Sequence, residues 1–414
     1  MHSIYNAAIY FYTFLIKLSS VFNPKAKDWI KGRKNLLQKI QYQIDKNKPI
    51  VWFHCASLGE FEQGRPVIEA FRQSFPAYHI LITFFSPSGY NVRKNYQGAD
   101  YIFYLPADTL ANAKKFIELI QPKLAIFIKY EFWLNYLNEM YVRKIPLLLV
   151  SGIFRPQQVF FKWYGKIFRE QLKVFSHFYV QNKTSAQLLK NIGFDNVSIS
   201  GDTRFDRVAT VADNPKPLPE IKSFCGGKKI FICGSVWSAD IKILEPFIRR
   251  ADENFKFILV PHEVNRGSIS SLLERFGDKA ITYTTLKNNP QINAKILIID
   301  IVGILSSVYQ FGWVAYIGGG FGAGIHNILE AAVYGIPVFF GPNYRKFQEA
   351  SDLILKGGAF VVKSSDDLSK IILDTNFEKI REKAAKICKE YVMGNTGATK
   401  IVMQGINNII TNTE

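Results

Sequence analysis

Short apolar runs separated by amphipathic stretches recur along most of the chain. Such runs predict buried strands at 49–54, 80–84, 101–105, 124–129, 146–150 and 178–180 in the first half, and at 230–233, 257–260, 294–299, 314–317, 336–340 and 359–362 in the second. Helical periodicity fills the stretches between them, for example at 60–75 and 110–120. Strands that alternate with helices are typical of parallel sheets covered by helices on both faces. The pattern therefore predicts an α/β architecture in both halves.

The two halves are separated by a segment without apolar periodicity. Residues 211–229 contain three prolines and two glycines and are predicted to form a linker. The predicted domains are 36–210 and 230–414, and the helical pattern at 377–410 leaves room for a last helix that packs back on the first domain. Residues 1–35 form a separate N-terminal segment. Two doubly wound, Rossmann-like domains are expected to face a central cleft, because ligands bind at the carboxyl ends of parallel strands.

Charge narrows the range of partners. The 414 residues include 52 Lys and Arg against 34 Asp and Glu, a formal net charge of +18, and 48% of the residues are hydrophobic. This composition excludes a disordered chain, and the positive field favours phosphorylated substrates or an anionic membrane. No basic low-complexity block or RNA-binding signature supports nucleic acid as a partner. The four cysteines and six histidines show no metal-binding spacing, so we expect no structural metal.

Residues 4–22 are almost continuously apolar. Four of the polar exceptions fall within about 60° of each other on a helix that turns about 100° per residue; they are Asn6, Thr13, Lys17 and Ser20. A membrane-spanning helix rarely carries such a stripe, whereas a helix lying in the membrane interface does. The basic run from Lys25 to Lys39 suits an anionic leaflet. The segment is predicted to associate with a membrane; a helix that packs on its own protein is the alternative.

A glycine-rich segment follows the predicted strand at 314–317. Glycines 318–320 precede a helical pattern that starts at Asn327. Glycine lets a backbone approach a ligand, and the first N–H groups of a helix bind anions. A tight strand-to-helix junction would need glycine as well. Because Glu330, one turn into the helix, can take both hydroxyls of a ribose, the segment favours a nucleotide-sugar site.

Four motifs occur in a particular order along the chain: Ala56-Ser57-Leu58-Gly59-Glu60, Gly201-Asp202-Thr203-Arg204-Phe205-Asp206, Gly234-Ser235 and His326-Asn327-Ile328-Leu329-Glu330. With Gly32-Arg33-Lys34 they resemble the 3-deoxy-D-manno-octulosonic acid (Kdo) transferases of lipopolysaccharide synthesis, and the resemblance covers nearly the whole chain. It implies the B-type glycosyltransferase (GT-B) fold and an inverting, metal-independent transfer of Kdo from CMP-Kdo to the lipid A precursor, lipid IVA. It also implies a place at the cytoplasmic face of the inner membrane, with CMP-Kdo, the lipid A precursor and the anionic membrane surface as partners. No cofactor and no nucleic acid are expected.

Glu60 is the candidate catalytic residue. An inverting transfer needs a base that takes the proton from the attacking hydroxyl, and the resemblance implies this role for the glutamate of this motif. The residues themselves also allow a structural role, because Ser57-x-x-Glu60 has the spacing of a capping box. A carboxylate turned toward its own backbone is not expected to serve both roles fully.

The resemblance implies a donor site in the second half. Its candidate residues are Ser235, His262, Arg266, Gly303, Gly319, Gly320, His326, Asn327 and Glu330. At His262 the chain departs from the family pattern, which has an arginine there, so either His262 or Arg266 makes that contact or the donor is held differently. Ser235, His326 and Asn327 could instead be helix N-caps. Glu330 could be a first-turn acid favoured by the helix dipole, and Gly303 part of a plain strand-to-helix turn.

Acceptor-binding residues are expected in the first half, and the candidates are Ser57, Gly59, Glu131, Arg155 and Lys162. Glu131 is kept from a segment that usually carries two glutamates, and Arg155 stands near a displaced family arginine. Lys162 lies among aromatic residues, a mixture that fits a phosphorylated, acylated lipid. A solvated amphipathic helix would look the same.

Two other functions remain open at this point. One is a different B-type nucleotide-sugar transferase or epimerase, which nucleotide preference would distinguish. The other is a nonenzymatic protein that binds anionic membranes, which would leave the ordered motifs without an explanation.

Overall fold

The computed structural model describes residues 2–129 and 131–411. The chain divides into two compact units, one formed by Met1–Arg207 with Thr396–Glu414 and the other by Val208–Asn395. The segment 211–229, predicted as a linker, contains the end of one helix and the whole of another, and its Ile221 and Phe224 are buried.

The first unit is built on a seven-stranded sheet in which every neighbouring pair is parallel. Its strands are β1 Ile50–Cys55, β2 His79–Phe84, β3 Tyr101–Tyr104, β4 Leu124–Ile128, β5 Leu147–Gly152, β6 His177–Val180 and β7 Val197–Ile199, in the order β3-β2-β1-β4-β5-β6-β7. Its helices are α1 His2–Ser19, α2 Pro24–Arg33, α3 Leu36–Gln43, α4 Leu58–Ser74, α5 Pro87–Arg93, α6 Leu110–Ile120, α7 Leu134–Val142, α8 Lys166–Leu172, α9 Lys183–Lys190 and the start of α10 Thr203–Asp213. Short 3₁₀ turns at Val159–Phe161 and Trp163–Gly165 precede α8.

The second unit repeats this plan with seven parallel strands. They are β8 Lys229–Val236, β9 Phe255–Pro261, β10 Ala280–Thr282, β11 Ile296–Ile298, β12 Val314–Ile317, β13 Val338–Phe340 and β14 Ala359–Val361, in the order β10-β11-β9-β8-β12-β13-β14. Its helices are α11 Pro219–Cys225, α12 Ser238–Arg250, α13 Arg266–Phe276, α14 Tyr283–Asn288, α15 Leu305–Val308, α16 Leu329–Ala332, α17 Gln348–Lys356, α18 Ser365–Ile372 and α19 Phe377–Met393, with 3₁₀ turns at Gly277–Lys279 and Tyr309–Phe311. The predicted parallel α/β architecture is thus confirmed for both halves. The pattern did not predict two strands, β7 and β10, which have three residues each.

Each face of the first sheet is covered, as the continuous apolar strands require. Side chains of β1 alternate between two clusters: Trp52 packs with Leu81 on one face, and Phe53 packs with Ile82 on the other. In a parallel sheet wound in both directions from a central strand, the loops that follow neighbouring strands meet at the carboxyl edge. This geometry gathers the loop after β1 and the loop after β4.

The last helix, α20 (Ala398–Thr411), belongs to the first unit. Its buried Val402, Ile406 and Ile410 recur every four residues and join the same cluster as Phe53. The start of α20 is held by Asp206, whose two carboxylate oxygens accept N–H bonds from Gly397 and Thr399 at 2.6 Å each. The Asp206 position of the second motif therefore has a structural function.

Arg33, in the Gly32-Arg33-Lys34 motif, joins α2 to the first sheet. Its guanidinium donates to the carbonyls of Leu105 and Phe85, at 2.8 Å each, and lies over the Trp29 ring. Burial lowers the pKa of Arg33 to about 9. A β-carbon at Gly32 would overlap the ring of Tyr104, so this position has no room for a side chain.

The N-terminal helix α1 contacts the protein through Tyr5, Asn6 and the buried Ile9, whereas Lys17 of the predicted polar stripe is exposed. Tyr5 donates a 2.6 Å hydrogen bond to the buried Asp108, and Asn6 accepts one of 2.8 Å from the Asn135 amide. The exposed side of the segment carries large apolar residues: Ile4, Tyr10, Phe11, Tyr12, Phe14, Leu15, Leu18, Val21 and Phe22. Within residues 2–129 and 131–411, no helix has both the length and the apolar character needed to cross a membrane.

Candidate active site

The predicted site residues fall into two groups, one in each unit. The first group follows the strands of the first sheet and centres on Glu60. The helix α4 begins at Leu58, directly after the β1 loop, with Ser57 as its N-cap. The Ser57 N–H and hydroxyl donate to Glu60 Oε2, at 2.9 and 3.3 Å. The capping box that was the alternative role for Glu60 is therefore present.

Capping nevertheless uses only one oxygen of Glu60. Both bonds from Ser57 end on Oε2, and the described residues place none on Oε1. The side chain is buried, with 8% of its surface exposed. The structure thus leaves one carboxylate oxygen available for a proton while the other holds the helix terminus. The two roles do not exclude each other, contrary to the expectation from sequence.

The surroundings make Glu60 a stronger base than an ordinary carboxylate. Burial raises the pKa of Glu60, and the charge of Glu131 raises it further. His54, Lys129 and the backbone bond from Ser57 act in the opposite direction without cancelling the rise. A carboxylate with a raised pKa binds a substrate proton more tightly, which is the property required of a general base.

Glu131 is held in this site by its own contacts. The Trp133 indole donates to Glu131 Oε2 at 2.7 Å, and the His54 ring nitrogen Nε2 lies 3.6 Å from the same oxygen. Glu131 was predicted on the acceptor side, and the structure places its charge close enough to Glu60 to affect it. Tyr130, which lies between Lys129 and Glu131, is outside the described residues.

Sequence reasoning missed His54, together with the Thr83 and Trp52 side chains that hold it. All three are buried on β1 and β2. The signal that could have identified His54 is a polar residue at the carboxyl end of an otherwise apolar strand, directly before the loop that leads to Glu60.

The other acceptor candidates are less closely placed. Gly59 is exposed on the first turn of α4, and Arg155 is exposed in the loop after β5, where its N–H donates to the Gln158 amide oxygen at 2.9 Å. Lys162 lies between the two 3₁₀ turns, and its carbonyl accepts from Arg169 at 3.1 Å. Among the described residues, no hydrogen bond or ion pair joins Arg155 or Lys162 to Glu60 or Glu131.

The second group of predicted residues surrounds the turn from β8 to α12. Ser235 lies inside β8 at a bulge and has a φ of 53°, a left-handed conformation that is strained for a serine. The N-cap of α12 is Trp237, so the alternative in which Ser235 caps a helix is wrong. The backbone of Ser235 lies directly against Gly318, where a β-carbon would be 2.2 Å from the Ser235 carbonyl oxygen.

Asp240 fixes this turn to the glycine-rich segment, a function that sequence reasoning missed. It is fully buried, and its carboxylate accepts three hydrogen bonds. The donors are the backbone N–H groups of Trp237, at 2.8 Å, and Gly319, at 2.9 Å, and the hydroxyl of Tyr316, at 2.8 Å. One carboxylate therefore sets the relative position of two loops at the carboxyl edge of the second sheet.

The glycines at 318–320 are buried by protein backbone. A β-carbon at Gly319 would lie 2.4 Å from the Gly324 carbonyl oxygen, and one at Gly320 would lie 2.5 Å from the Gly341 nitrogen. The tight-junction interpretation therefore accounts for these glycines. The helix that follows, α16, has only four residues and begins at Leu329 rather than Asn327. A single turn has few aligned peptide dipoles, so the expected helix N-terminus offers little for anion binding.

Two predicted histidines form an aromatic stack with Trp237. The rings of His262 and His326 are parallel, with centroids 4.3 Å apart, and His262 also stacks on Trp237 at 4.3 Å. The Trp237 indole donates to His326 Nε2 at 2.9 Å. Burial lowers the pKa of both histidines, and His262 lowers that of His326 further. Both rings are therefore neutral at pH 7, so His262 does not replace the charge of the arginine expected there.

The remaining donor candidates, Asn327, Glu330, Arg266 and Gly303, are not part of this stack. Asn327 accepts from the Leu329 N–H at 3.2 Å and donates to Glu330 at 3.1 Å, so both are tied into the local turn. Arg266 is exposed at the start of α13. Gly303, with φ of 85°, presents its carbonyl to the Lys216 ammonium at 3.0 Å.

Among residues 2–129 and 131–411 there is no group of three or more His, Cys, Asp or Glu side chains that could hold a metal ion.

Comparison with solved structures identifies the architecture. The chain is similar to a putative UDP-N-acetylglucosamine 2-epimerase from Listeria monocytogenes, with a TM-score of 0.59 and 13% identity over 89% of this chain and 98% of that one. It is also similar to MurG from Acinetobacter baumannii, with a TM-score of 0.54 and 9% identity over 87% and 99% of the two chains. Two parallel-sheet units of this kind define a GT-B protein.

The sequence matches narrow this class. Residues 31–207 match the family model described as 3-deoxy-D-manno-octulosonic-acid transferase (kdotransferase). A 3-deoxy-D-manno-octulosonic acid transferase from Aquifex aeolicus is 28% identical over 352 residues, covering 82% of this chain and 91% of that protein. Residues 31–207 therefore resemble a Kdo transferase domain, and the chain is similar to Kdo transferases over most of its length.

Proposed function

We propose that this protein transfers Kdo from CMP-Kdo to the lipid A precursor lipid IVA in lipopolysaccharide synthesis, with inversion at the anomeric carbon. The similarity to Kdo transferases supports Kdo transfer. The observation that carries the mechanism is Glu60: a buried carboxylate with a raised pKa at the carboxyl edge of a parallel sheet, with one oxygen available among the described residues.

In this mechanism Glu60 Oε1 takes the proton from the attacking hydroxyl of the acceptor. The oxygen of that hydroxyl bonds to the anomeric carbon of Kdo, and CMP leaves from the opposite face with the bonding electron pair. Ser57 keeps the carboxylate oriented through Oε2, so the base costs no reorganisation when it acts. Glu131 maintains the basicity of Glu60 by repulsion.

The second unit is the proposed donor site. The Trp237–His262–His326 stack offers flat aromatic surfaces, and Arg266 offers an exposed positive charge. Since both imidazoles are neutral, Arg266 takes the role of anion partner, and Glu330 is kept as the ribose partner. No metal or cofactor takes part in this proposal.

The N-terminal helix is proposed to lie on the cytoplasmic surface of the inner membrane. Its outward face is apolar, with Phe11 62% and Phe22 91% exposed, and the basic residues between Lys25 and Lys39 follow it. An exposed apolar face of this size on a charged protein is typical of an interfacial helix.

The test is transfer of Kdo from freshly generated CMP-Kdo to a tetraacylated lipid A precursor, followed by mass spectrometry. Glu60→Gln keeps a side-chain oxygen for the Ser57 N–H but cannot act as a base, whereas Glu60→Ala loses the cap as well. We expect both variants to lose at least about 100-fold in kcat, as general base removal does. We expect only Glu60→Ala to lose stability, by about 1 kcal/mol.

Glu62→Gln is the matched control, because Glu62 is on the same helix and pairs with Arg93 at 2.6 Å. It should keep normal activity. An active Glu60→Gln protein would reduce Glu60 to a helix cap.

The alternative is a different B-type nucleotide-sugar transferase or an epimerase, favoured by the similarity to the epimerase fold. Thermal shifts separate the two: CMP should raise the melting temperature and UDP should not. Stabilisation by UDP alone, without Kdo transfer, would support the alternative.

A further inference from the structure

A chain of buried polar side chains leads from the core of the first sheet to the acidic site. The Trp52 indole donates to the Thr83 hydroxyl at 2.8 Å, and Thr83 Oγ1 lies 2.8 Å from His54 Nδ1. All three residues are fully buried. Aromatic rings surround His54 on two sides, with Phe127 at 5.2 Å and Trp52 at 6.3 Å between centroids, so its orientation is fixed.

The groups around His54 favour one tautomer. Thr83 Oγ1 accepts from Trp52 and has one proton, which it can donate to His54 Nδ1. Its second lone pair could instead accept from an Nδ1–H, but Nε2 would then turn a lone pair toward the Glu131 carboxylate, so the tautomer with the ring proton on Nε2 is favoured. Nε2 is buried and makes no hydrogen bond of normal length with any described residue, but it lies 3.6 Å from Glu131 Oε2.

We infer that His54 is a positioning residue of the acidic site: from the end of β1 it directs its Nε2–H at Glu131 and so fixes that carboxylate where it acts on Glu60. The Trp133 indole is the second donor to the same oxygen, at 2.7 Å. The two donors come from different parts of the chain: His54 lies on β1, and Trp133 lies just before α7. Without the donor on β1, Glu131 loses its link to the strand that precedes the catalytic loop.

The inference rests on the proposed function, in which Glu60 is the base, and it makes a separate statement about His54. The two interacting carboxylates are Glu60 and Glu131, and Lys129 is the charged group beside them. Removal of an N–H donor from one of two interacting carboxylates makes the pair hold a proton more tightly. The acid limb of the kcat/KM profile, which reports the base, should then move to higher pH.

The first measurement does not depend on activity. In the intact protein labelled with ¹⁵N-histidine, His54 should show an unprotonated Nδ1 and a protonated Nε2 at pH 7.5. A protonated Nδ1 with an unprotonated Nε2 would overturn the inference, because an Nε2 lone pair would face the Glu131 carboxylate.

The second measurement compares two substitutions that preserve different ends of the imidazole. In His54→Gln the amide nitrogen can occupy the place of Nε2, whereas in His54→Asn it reaches only the place of Nδ1. We expect His54→Asn to lower kcat by about 10- to 100-fold with little change in KM, as a misplaced catalytic group does. We expect the acid limb of the His54→Asn profile to move to higher pH. We expect His54→Gln to keep most of the wild-type kcat and most of the wild-type acid limb.

The control is His177→Asn, since His177 lies on β6 of the same sheet and contacts Ser198 at 2.8 Å. It should match the wild type in kcat and in pH profile. Equal losses in His54→Gln and His54→Asn with unshifted profiles would give His54 a purely structural role and overturn the inference. If the wild type shows the expected tautomer but transfers no Kdo, the proposed function fails and the His54 arrangement stands.

Discussion

Asp240 offers the most direct test of how the second unit holds its two site loops. Its carboxylate is fully buried and accepts from Trp237, Gly319 and Tyr316 at 2.8 to 2.9 Å. Asp240→Ala would leave three buried donors without an acceptor. Each such donor costs about 1–3 kcal/mol, so the sum is about 3–9 kcal/mol. Because Trp237 is 41% exposed, we expect the lower half of that range, about 3–6 kcal/mol.

Asp240→Asn should be much milder, for a geometric reason. Its Oδ1 can accept both backbone N–H groups, while its Nδ2 donates to the Tyr316 hydroxyl, which changes from donor to acceptor. All three contacts persist without the charge, and hydrogen bonds to a charged group are stronger than neutral ones by about 1 kcal/mol. We expect Asp240→Asn to lose about 1–2 kcal/mol.

The assay is urea unfolding of both variants, followed in parallel by tryptophan fluorescence and circular dichroism. Two probes are needed because a protein of two units need not unfold in one transition. Tyr316→Phe is the control for a single lost donor. Equal destabilisation of the Ala and Asn variants, or a loss below about 1 kcal/mol in Asp240→Ala, would refute the argument that satisfied donors anchor these loops.

Two further predictions concern α1. Burial raises the pKa of Asp108 from 3.8 to about 6, so this group favours folding fully below pH 4 and loses that contribution as the pH rises through 6. The difference in the free energy of unfolding between Asp108→Asn and the wild type should therefore grow by about 3 kcal/mol between pH 4 and 8. Urea unfolding measures this difference, and a difference that stays constant with pH would contradict the linkage. Replacement of Phe11, Leu15 and Leu18 by serine removes exposed apolar area, so it should weaken sedimentation with anionic vesicles at least about 10-fold while leaving the melting temperature nearly unchanged. Unchanged vesicle binding would exclude this face as the membrane contact.

The loop that carries Glu60 shows how far local sequence reaches. Ser57 and Glu60 lie three residues apart at the start of a helix, and that spacing predicted the capping box, whereas the resemblance to Kdo transferases implied the candidate base. The use of a single oxygen by the cap could not be predicted, because it depends on how the side chain rotates within the fold. His54 shows the same limit, since Thr83 lies on β2 and Glu131 follows β4, and these strands are neighbours of β1 only in the sheet.

In the glycine-rich segment, the sequence placed the strands but left two explanations of the glycines open. The pattern correctly placed a strand before it and a strand after it, at β12 and β13. Ligand access and backbone packing both require glycine, however, so composition could not decide between them. Gly319 packs against Gly324 within one turn, whereas Gly320 packs against Gly341, a contact that forms only after β12 and β13 are in place.

The sequence by itself determined the two parallel α/β halves, because periodicity is a property of neighbouring residues, and its ordered motifs determined the similarity to Kdo transferases and the candidate base that this similarity implies. Only the tertiary structure decided that α20 returns to the first unit, that Asn6 of α1 contacts Asn135, and that Asp240 joins two loops of the second unit. Each of these depends on contacts between residues far apart in the chain. Burial there gives a hydrogen bond or a charge its effect, and burial exists only once the sheets are assembled.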